Sequence, residues 1–324
     1  MADSYPDRKN ASGLWSINEI SKNKIAEGNW PGNFGNRGMF AGGIAPSSVD
    51  TVDFSTITTA GDASDFGNLQ TADRYGCTGS GSTTRGLFCG GGTNNNVEDT
   101  IDYFTISTTG NGTDFGNLTG SNRSAGAFGN QTKCFNAGGS SNSDYVNIIE
   151  FVTIANLGNG TDFGDLSVKN DSGSSGVNSP TRGIVMGGIS FNNRIELIEM
   201  SSSGGHVDFG DLSSTRGNVG GMSNSTRGIC GGGRIPTFTN IIEFINIQST
   251  GNTEDFGDLT SARCYLAGCN NLHRGIFAGG SEPTIVNTME FITMSSKGDS
   301  TDFGDLTQAR RYLSGLSNGH GGLN

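Results

Sequence analysis

The residues able to do chemistry are few in this chain, and their spacing argues against a catalytic centre. Three histidines, His206, His273 and His320, share no ligand-type spacing, so they read as loop residues rather than a metal site or an acid–base pair. There is no Gly-x-x-x-x-Gly-Lys-[Ser/Thr] loop, the usual mark of a phosphate cradle. The six cysteines, Cys77, Cys89, Cys134, Cys230, Cys264 and Cys269, form no Cys-x-x-Cys pair and read as buried small residues. Acids recur as Asp-x-x-Asp at Asp162/Asp165, Asp208/Asp211, Asp255/Asp258 and Asp302/Asp305, a spacing that could serve paired carboxylates or calcium. Asn68 and Asn117 replace the second acid in two further copies, however, and a calcium loop needs more oxygen ligands than this. The expectation is no enzyme, no cofactor and no metal.

Those acids belong to a pattern written six times. Phe-Gly-(Asp/Asn)-Leu begins at Phe66, Phe115, Phe163, Phe209, Phe256 and Phe303, in steps of 49, 48, 46, 47 and 47 residues. A fixed period of this size marks a solenoid, a propeller or an array. Before each Phe-Gly stands a base, an apolar run and a glycine pair, as in Arg274-Gly275 to Gly279-Gly280. Between these marks runs an apolar segment with one acid, as in Ile149-Glu150-Phe151, and after Phe-Gly come a base and a small-residue segment. Each copy thus holds four short strands: a after that last base, b ending at the glycine pair, c with the acid, and d with Phe-Gly. Strand c is apolar on both faces, which suits a strand sandwiched between neighbouring sheets. Four strands per copy at this period predict an all-β, six-bladed β-propeller over residues 36–324. The first copy begins with strand b at Arg37, and Arg310–Gly315 is a spare strand a, so the C-terminal strand should close the ring as the innermost strand of the first blade.

Residues 1–35 do not match the repeat. Ser16-Ile17-Asn18-Glu19 reads as a capping box, and Ile17, Ile20 and Ile25 fall on one face of a short helix that Gly28 can end. Trp15 and Trp30, the only two tryptophans, flank it. Tryptophan is favoured as an interface anchor, so this helical leader is expected to dock the chain on a partner or else to plug its own ring.

Composition excludes some partners. The net charge of −11 argues against non-specific nucleic-acid binding. No apolar run approaches membrane-spanning length, and Met1-Ala2-Asp3-Ser4 does not open a secretory signal. Hydrophobic residues make up only 32% of the chain, and its 54 glycines are accounted for by many tight turns and close strand contacts.

Two further expectations follow from the strand directions. The starts of b and d share one face, so Arg37, Arg85, Lys133, Arg182, Arg227 and Arg274 should pair with Asp65, Asp114, Asp162, Asp208, Asp255 and Asp302. The b–c loops differ most between copies and are the expected recognition surface. Among them are Asn94-Asn95-Asn96, Ser141-Asn142-Ser143, Phe191-Asn192-Asn193 and Ile235-Pro236-Thr237-Phe238, and the candidate contacts are Phe191, Asn192, Ile235 and Phe238.

These residues carry a resemblance. The glycine pair closing strand b, the aromatic and leucine of strand d and the following arginine resemble kelch repeats, although phenylalanine stands where kelch repeats carry tryptophan. The Ser-x-Asp-x-Gly-x-Thr-Trp box of sialidase propellers and the Tyr/His cluster of copper-oxidase propellers are both missing. The leader, the Trp30-Pro31 step and repeats worded Asn-Ile-Ile-Glu-Phe and Thr-Asp-Phe-Gly-Asp-Leu-Thr resemble virion proteins of tailed phages, especially those of marine cyanobacteria. This resemblance spans nearly the whole chain. It implies a non-enzymatic structural component of a tail, neck or head appendage, made in the host cytoplasm and present in many copies on the virion. Its leader would dock on other virion proteins, and its propeller would meet a host-surface glycan or receptor. An intracellular kelch-type adaptor for a protein partner is the alternative.

Overall fold

The computed structural model describes residues 36–170, 175–188, 193–234 and 236–323. The leader, with Trp15, Ile17, Ile20, Ile25 and Trp30, therefore lies outside the described residues. Strand b shows why the repeat folds as it does. Arg274–Ala278 is buried at every residue except the arginine, because β-branched and aromatic side chains face a neighbouring sheet on both sides. Six such segments each become the second strand of a four-stranded antiparallel sheet, and the six sheets make a six-bladed β-propeller. In the second blade strands a to d are Thr78–Gly81, Arg85–Gly92, Val97–Thr105 and Thr113–Asn117. The third blade uses Gly126–Gly129, Lys133–Ala137, Val146–Thr153 and Thr161–Asn170. The sixth uses Ala267–Asn270, Arg274–Ala278, Thr288–Thr293 and Thr301–Asp305.

The first blade is closed by a strand from the far end of the chain. Ser314–Ser317 pairs antiparallel with Arg37–Ala41, with Phe40 opposite Gly315, and Thr51–Thr56 and Ser64–Asn68 complete the sheet. The closing strand starts later than the expected Arg310. Tyr312 has φ 57°, which breaks extended backbone, so the ladder begins only beyond it. Arg310 is instead committed to a buried ion pair.

Neighbouring blades are joined at the outer rim by the Phe-Gly mark. In the fifth blade, Gly298 N donates to Phe256 O at 2.8 Å, Ser300 N donates to Asp258 O at 2.8 Å, and Asp258 N donates to Asp299 Oδ1 at 3.0 Å. The same latch recurs where Gly110 N meets Phe66 O and Gly61 N meets Phe303 O. The phenylalanines fill the apolar layers between blades; Phe66 meets Phe104 edge-on at 5.8 Å.

The expected rim ion pairs do not form. All six aspartates are exposed, and none of the six pairs is an ion pair. Strand c stands between b and d, and five of the six bases fold over the aromatic ring of strand c instead, while Arg182, whose strand c carries Leu197 there, pairs with Glu199 at 3.0 Å. Arg37 lies 4.6 Å from the Phe54 centroid, Arg274 4.3 Å from that of Phe291, and Lys133 Nζ 4.1 Å from that of Phe151. The guanidinium then reaches the next blade, where Arg37 Nη1 donates to Ile106 O at 2.8 Å and Arg227 Nη1 to Met294 O at 2.8 Å.

Four buried ion pairs do bridge blades, and they use other residues. After four of the six Phe-Gly marks an arginine pairs with the strand-c acid of the next blade: Arg74–Asp102 at 2.8 Å, Arg216–Glu243 at 3.2 Å, Arg263–Glu290 at 2.7 Å and Arg310–Asp53 at 3.0 Å. The residue after the motif leucine holds the same acid, with Thr260 Oγ1 at 2.6 Å from Glu290 and Thr307 Oγ1 at 2.7 Å from Asp53.

The third blade breaks this rule. Four residues after Leu118 stands Asn122, where the same count from Leu259 and Leu306 gives Arg263 and Arg310. Asn122 O accepts Gly91 N at 2.7 Å, as Arg263 O accepts Gly233 N, so Asn122 occupies the arginine station. Glu150 is therefore buried beside Thr119 N at 2.7 Å and the Asn136 side chain, with no arginine, and burial raises its pKa above the ordinary carboxylate value. A carboxyl whose folded pKa is raised binds its proton more tightly when folded. Stability then falls as pH rises from the unfolded value of 4.5 to the folded value, and levels off above it. Glu150→Gln should therefore be more stable than the parent at pH 7, and the difference should vanish below pH ~4. Thermal melts across that range check this, and a less stable variant at pH 7 would contradict it.

Candidate recognition site at the channel mouth

Strand a lines the central channel. The link from strand d into strand a pairs with the b–c loop of the next blade through the bridges Ile44–Arg311, Tyr75–Gly92, Arg123–Ser140, Gly217–Arg234 and Cys264–Ser281. The links and the loops therefore share one end of the ring. The residue after each link partner has positive φ: Gly76 61°, Ser124 55°, Asn218 60°, Tyr265 61° and Tyr312 57°. Their backbones hand on hydrogen bonds around the mouth. Tyr265 N donates to Asn218 O at 3.0 Å, Tyr312 N to Tyr265 O at 3.0 Å, Gly76 N to Tyr312 O at 2.7 Å and Ser124 N to Gly76 O at 2.6 Å. This belt explains why left-handed residues are held here, and positive φ at a tyrosine is a strained arrangement.

The belt is regular, but its side chains are not. Tyr265 and Tyr312 stack with centroids 3.9 Å apart, and Tyr75 meets Tyr312 edge-on at 5.9 Å. Arg311 lies 5.8 Å from the Tyr265 ring and 5.9 Å from that of Tyr312, and Arg123 Nη1 donates to the Tyr75 hydroxyl. An aromatic and cationic arc thus runs round part of the mouth, above a cavity of about 120 Å³ lined by Gly76, Ser124, Asn218, Tyr265 and Tyr312. Burial and the Tyr265 hydroxyl drive the Tyr312 phenol well above its ordinary pKa, so it is a neutral donor. Burial pushes the nearby Cys264 thiol up to about 12, leaving it protonated near pH 7.

Below the arc the channel narrows. A Cβ on Gly176 would lie 2.5 Å from the Ala127 carbonyl carbon, and one on Gly268 2.9 Å from that of Gly221, so these positions of the belt admit only glycine. The opposite end is filled by the segment after the closing strand, a 3₁₀ turn over Gly321–Leu323. His320 is buried there with Nε2 2.7 Å from Gly81 O, and Gly322 N donates to its Nδ1 at 3.2 Å, which places the proton on Nε2. Burial brings its pKa down to about 4, so it is neutral near pH 7.

Of the sequence-predicted loop residues, Phe191, Asn192 and Ile235 lie outside the described residues. Phe238 is half-buried, 5.6 Å from the Arg234 guanidinium at the same end of the ring. Some varied loops serve the scaffold: Asn142 Oδ1 accepts Val97 N at 2.8 Å, and Asn94 Oδ1 accepts Ser48 Oγ at 3.1 Å. Sequence reasoning did not single out Tyr75, Tyr265, Tyr312, Arg123 and Arg311. Counting five and six residues past the motif leucine finds most of them, since Arg123, Cys264-Tyr265 and Arg311-Tyr312 fall there against Gly217-Asn218. All six cysteines are buried and unpaired. Among the described residues no helix is long and apolar enough to cross a membrane, and no three His, Cys, Asp or Glu residues cluster as metal ligands would. No family model and no curated protein matches the sequence.

Proposed function

We propose that the chain is a non-enzymatic structural component of a phage particle, docked by residues 1–35 and displaying the Tyr/Arg mouth of its kelch-like ring as a recognition face. The observation that carries this reading is the division of labour among side chains. Repeated residues are used in latches, ring stacks and buried ion pairs, whereas the residues that differ between copies gather at one mouth. A scaffold held constant while one surface varies is the arrangement of a recognition module. The virion assignment draws its support from the wording of the repeats and from the leader with its two tryptophans. Trp15, Ile17, Ile20, Ile25 and Trp30 are its docking residues, and other virion proteins are its neighbours.

A chain lacking residues 1–30 tests this. Every described strand begins at Arg37 or later, so the truncated chain should still fold as a ring but should be missing from purified particles. Normal incorporation of the truncated ring would overturn docking by the leader. Absence of the intact protein from particles would overturn the virion reading itself.

A further inference from the structure

We propose that the Tyr265–Tyr312–Tyr75 arc with Arg311 is a binding site for one acidic sugar unit, a hexuronate whose ring face lies on tyrosine and whose carboxylate takes the Arg311 fork. The proposal rests on reading this mouth as the recognition face and names the ligand class that it takes.

Four observations lead to this class. First, Arg311 is only half-buried, and among the described residues no carboxylate lies within ion-pair range of Arg311, Arg123 or Arg234. The arginines after the other motif marks, Arg74, Arg216, Arg263 and Arg310, each meet an acid. Second, a guanidinium presents a planar fork that a carboxylate matches with two bonds. Third, the groups beside it are phenol rings, which offer apolar faces and hydroxyl donors together. A pyranose presents the matching surface, C–H groups on its faces and hydroxyls at its edge. Fourth, the cavity of about 120 Å³ is small and closed below by the glycine belt, so it admits one sugar unit or the end of a chain rather than a threaded polymer. An extended polyanion is disfavoured by the overall charge of −11, while a single carboxylate needs only the local arginines. The strained φ of Tyr265 and Tyr312 fits a site whose side chains are aimed for binding at the expense of backbone comfort.

Isothermal titration calorimetry of the full chain with methyl glucuronide, and with methyl glucoside as its uncharged match, tests the proposal. The intact protein should bind the glucuronide at least ~10-fold more tightly, the size of one charge-assisted contact. Arg311→Gln should abolish that preference while leaving glucoside binding in place. Tyr265→Asn and Tyr312→Asn should weaken both sugars, and both variants should fold, because Asn218 already holds the same left-handed station in this belt. Tighter binding of a glucuronate-terminated tetrasaccharide would identify a glycan chain end as the source, and equal binding a free sugar acid; both support the site. Equal affinity for the two methyl glycosides, no binding of either at millimolar concentration, or a preference that survives Arg311→Gln would overturn it. Particle incorporation is scored separately, so loss of the sugar site with normal incorporation removes this inference and leaves the virion reading standing.

Discussion

Arg310→Met should lower the stability of the ring by about 3–5 kcal/mol, the cost of leaving a buried charge without its partner. Arg310 is fully buried and joins the last link of the chain to the first blade. Its Nη2 donates to Phe40 O at 3.0 Å and meets Asp53 Oδ2 at 3.0 Å, while Nη1 reaches Thr51 O at 3.4 Å. Methionine fills much of the volume but strands the Asp53 carboxylate in the interior. Adding Asp53→Asn removes the stranded charge and keeps an acceptor for Thr307 N and Thr307 Oγ1, which now bond Asp53 at 3.1 and 2.7 Å. The double variant should therefore recover most of the loss. Urea unfolding of the parent, both single variants and the double closes the cycle. Strict additivity would mean that the pair is not what joins the two blades.

The third blade shows that the fold can do without this pair, and on what terms. There Asn122 stands for the arginine, and strand b carries Asn136 opposite Glu150, where the first blade has Phe40 opposite Asp53. The acid keeps hydrogen bonds without a counter-charge, and burial holds its pKa above the ordinary carboxylate value.

The propeller was legible because its glycines, phenylalanines and acids recur with a fixed period. The copy count, the strand count per copy and closure by a C-terminal strand all follow from that period. What the period hid is the direction of side chains. Arg37 and Asp65 share an end of the first blade, yet strand c lies between them, and the Phe54 ring takes the guanidinium. The start of the closing strand was misplaced because a left-handed Tyr312 gives no sign in composition, tyrosine being a poor residue for that conformation. The candidate site was less legible than the fold. Arg123 reads as the repeat arginine until residues are counted from Leu118, when it moves to the mouth and Asn122 takes the buried station. A site made by one-residue offsets within a regular repeat shows only in the backbone pairing, since the count that puts Arg123 at the mouth would also put the buried Arg74, five residues after Leu69, there. The loops that looked most variable are partly structural, as Asn94 and Asn142 show.

Gly257→Ala should be among the most damaging small substitutions in the chain, and it tests why Phe-Gly is written six times. Gly257 has φ +151°, a conformation nearly reserved for glycine, and a Cβ there would stand 2.5 Å from the Gly298 carbonyl carbon of the next blade. The backbone strain costs about 1–3 kcal/mol, and overpacking against a main chain that cannot turn aside costs about 1–3 kcal/mol more. The alternative is for the turn at Gly298 to back away, which breaks the bonds from Gly298 N to Phe256 O and from Ser300 N to Asp258 O. Hydrogen exchange should therefore speed up at residues 298–300 in Gly257→Ala, ahead of any global unfolding. Gly251 supplies the control, because a Cβ there meets nothing within 4 Å. Gly251→Ala should leave both stability and exchange near parental values, within about 0.5 kcal/mol. If the two alanine variants behave alike, close approach of blades does not explain the motif. If only Gly257→Ala opens the rim, the repeated glycine is a device for letting one blade's turn rest on its neighbour's last strand, six times around the ring.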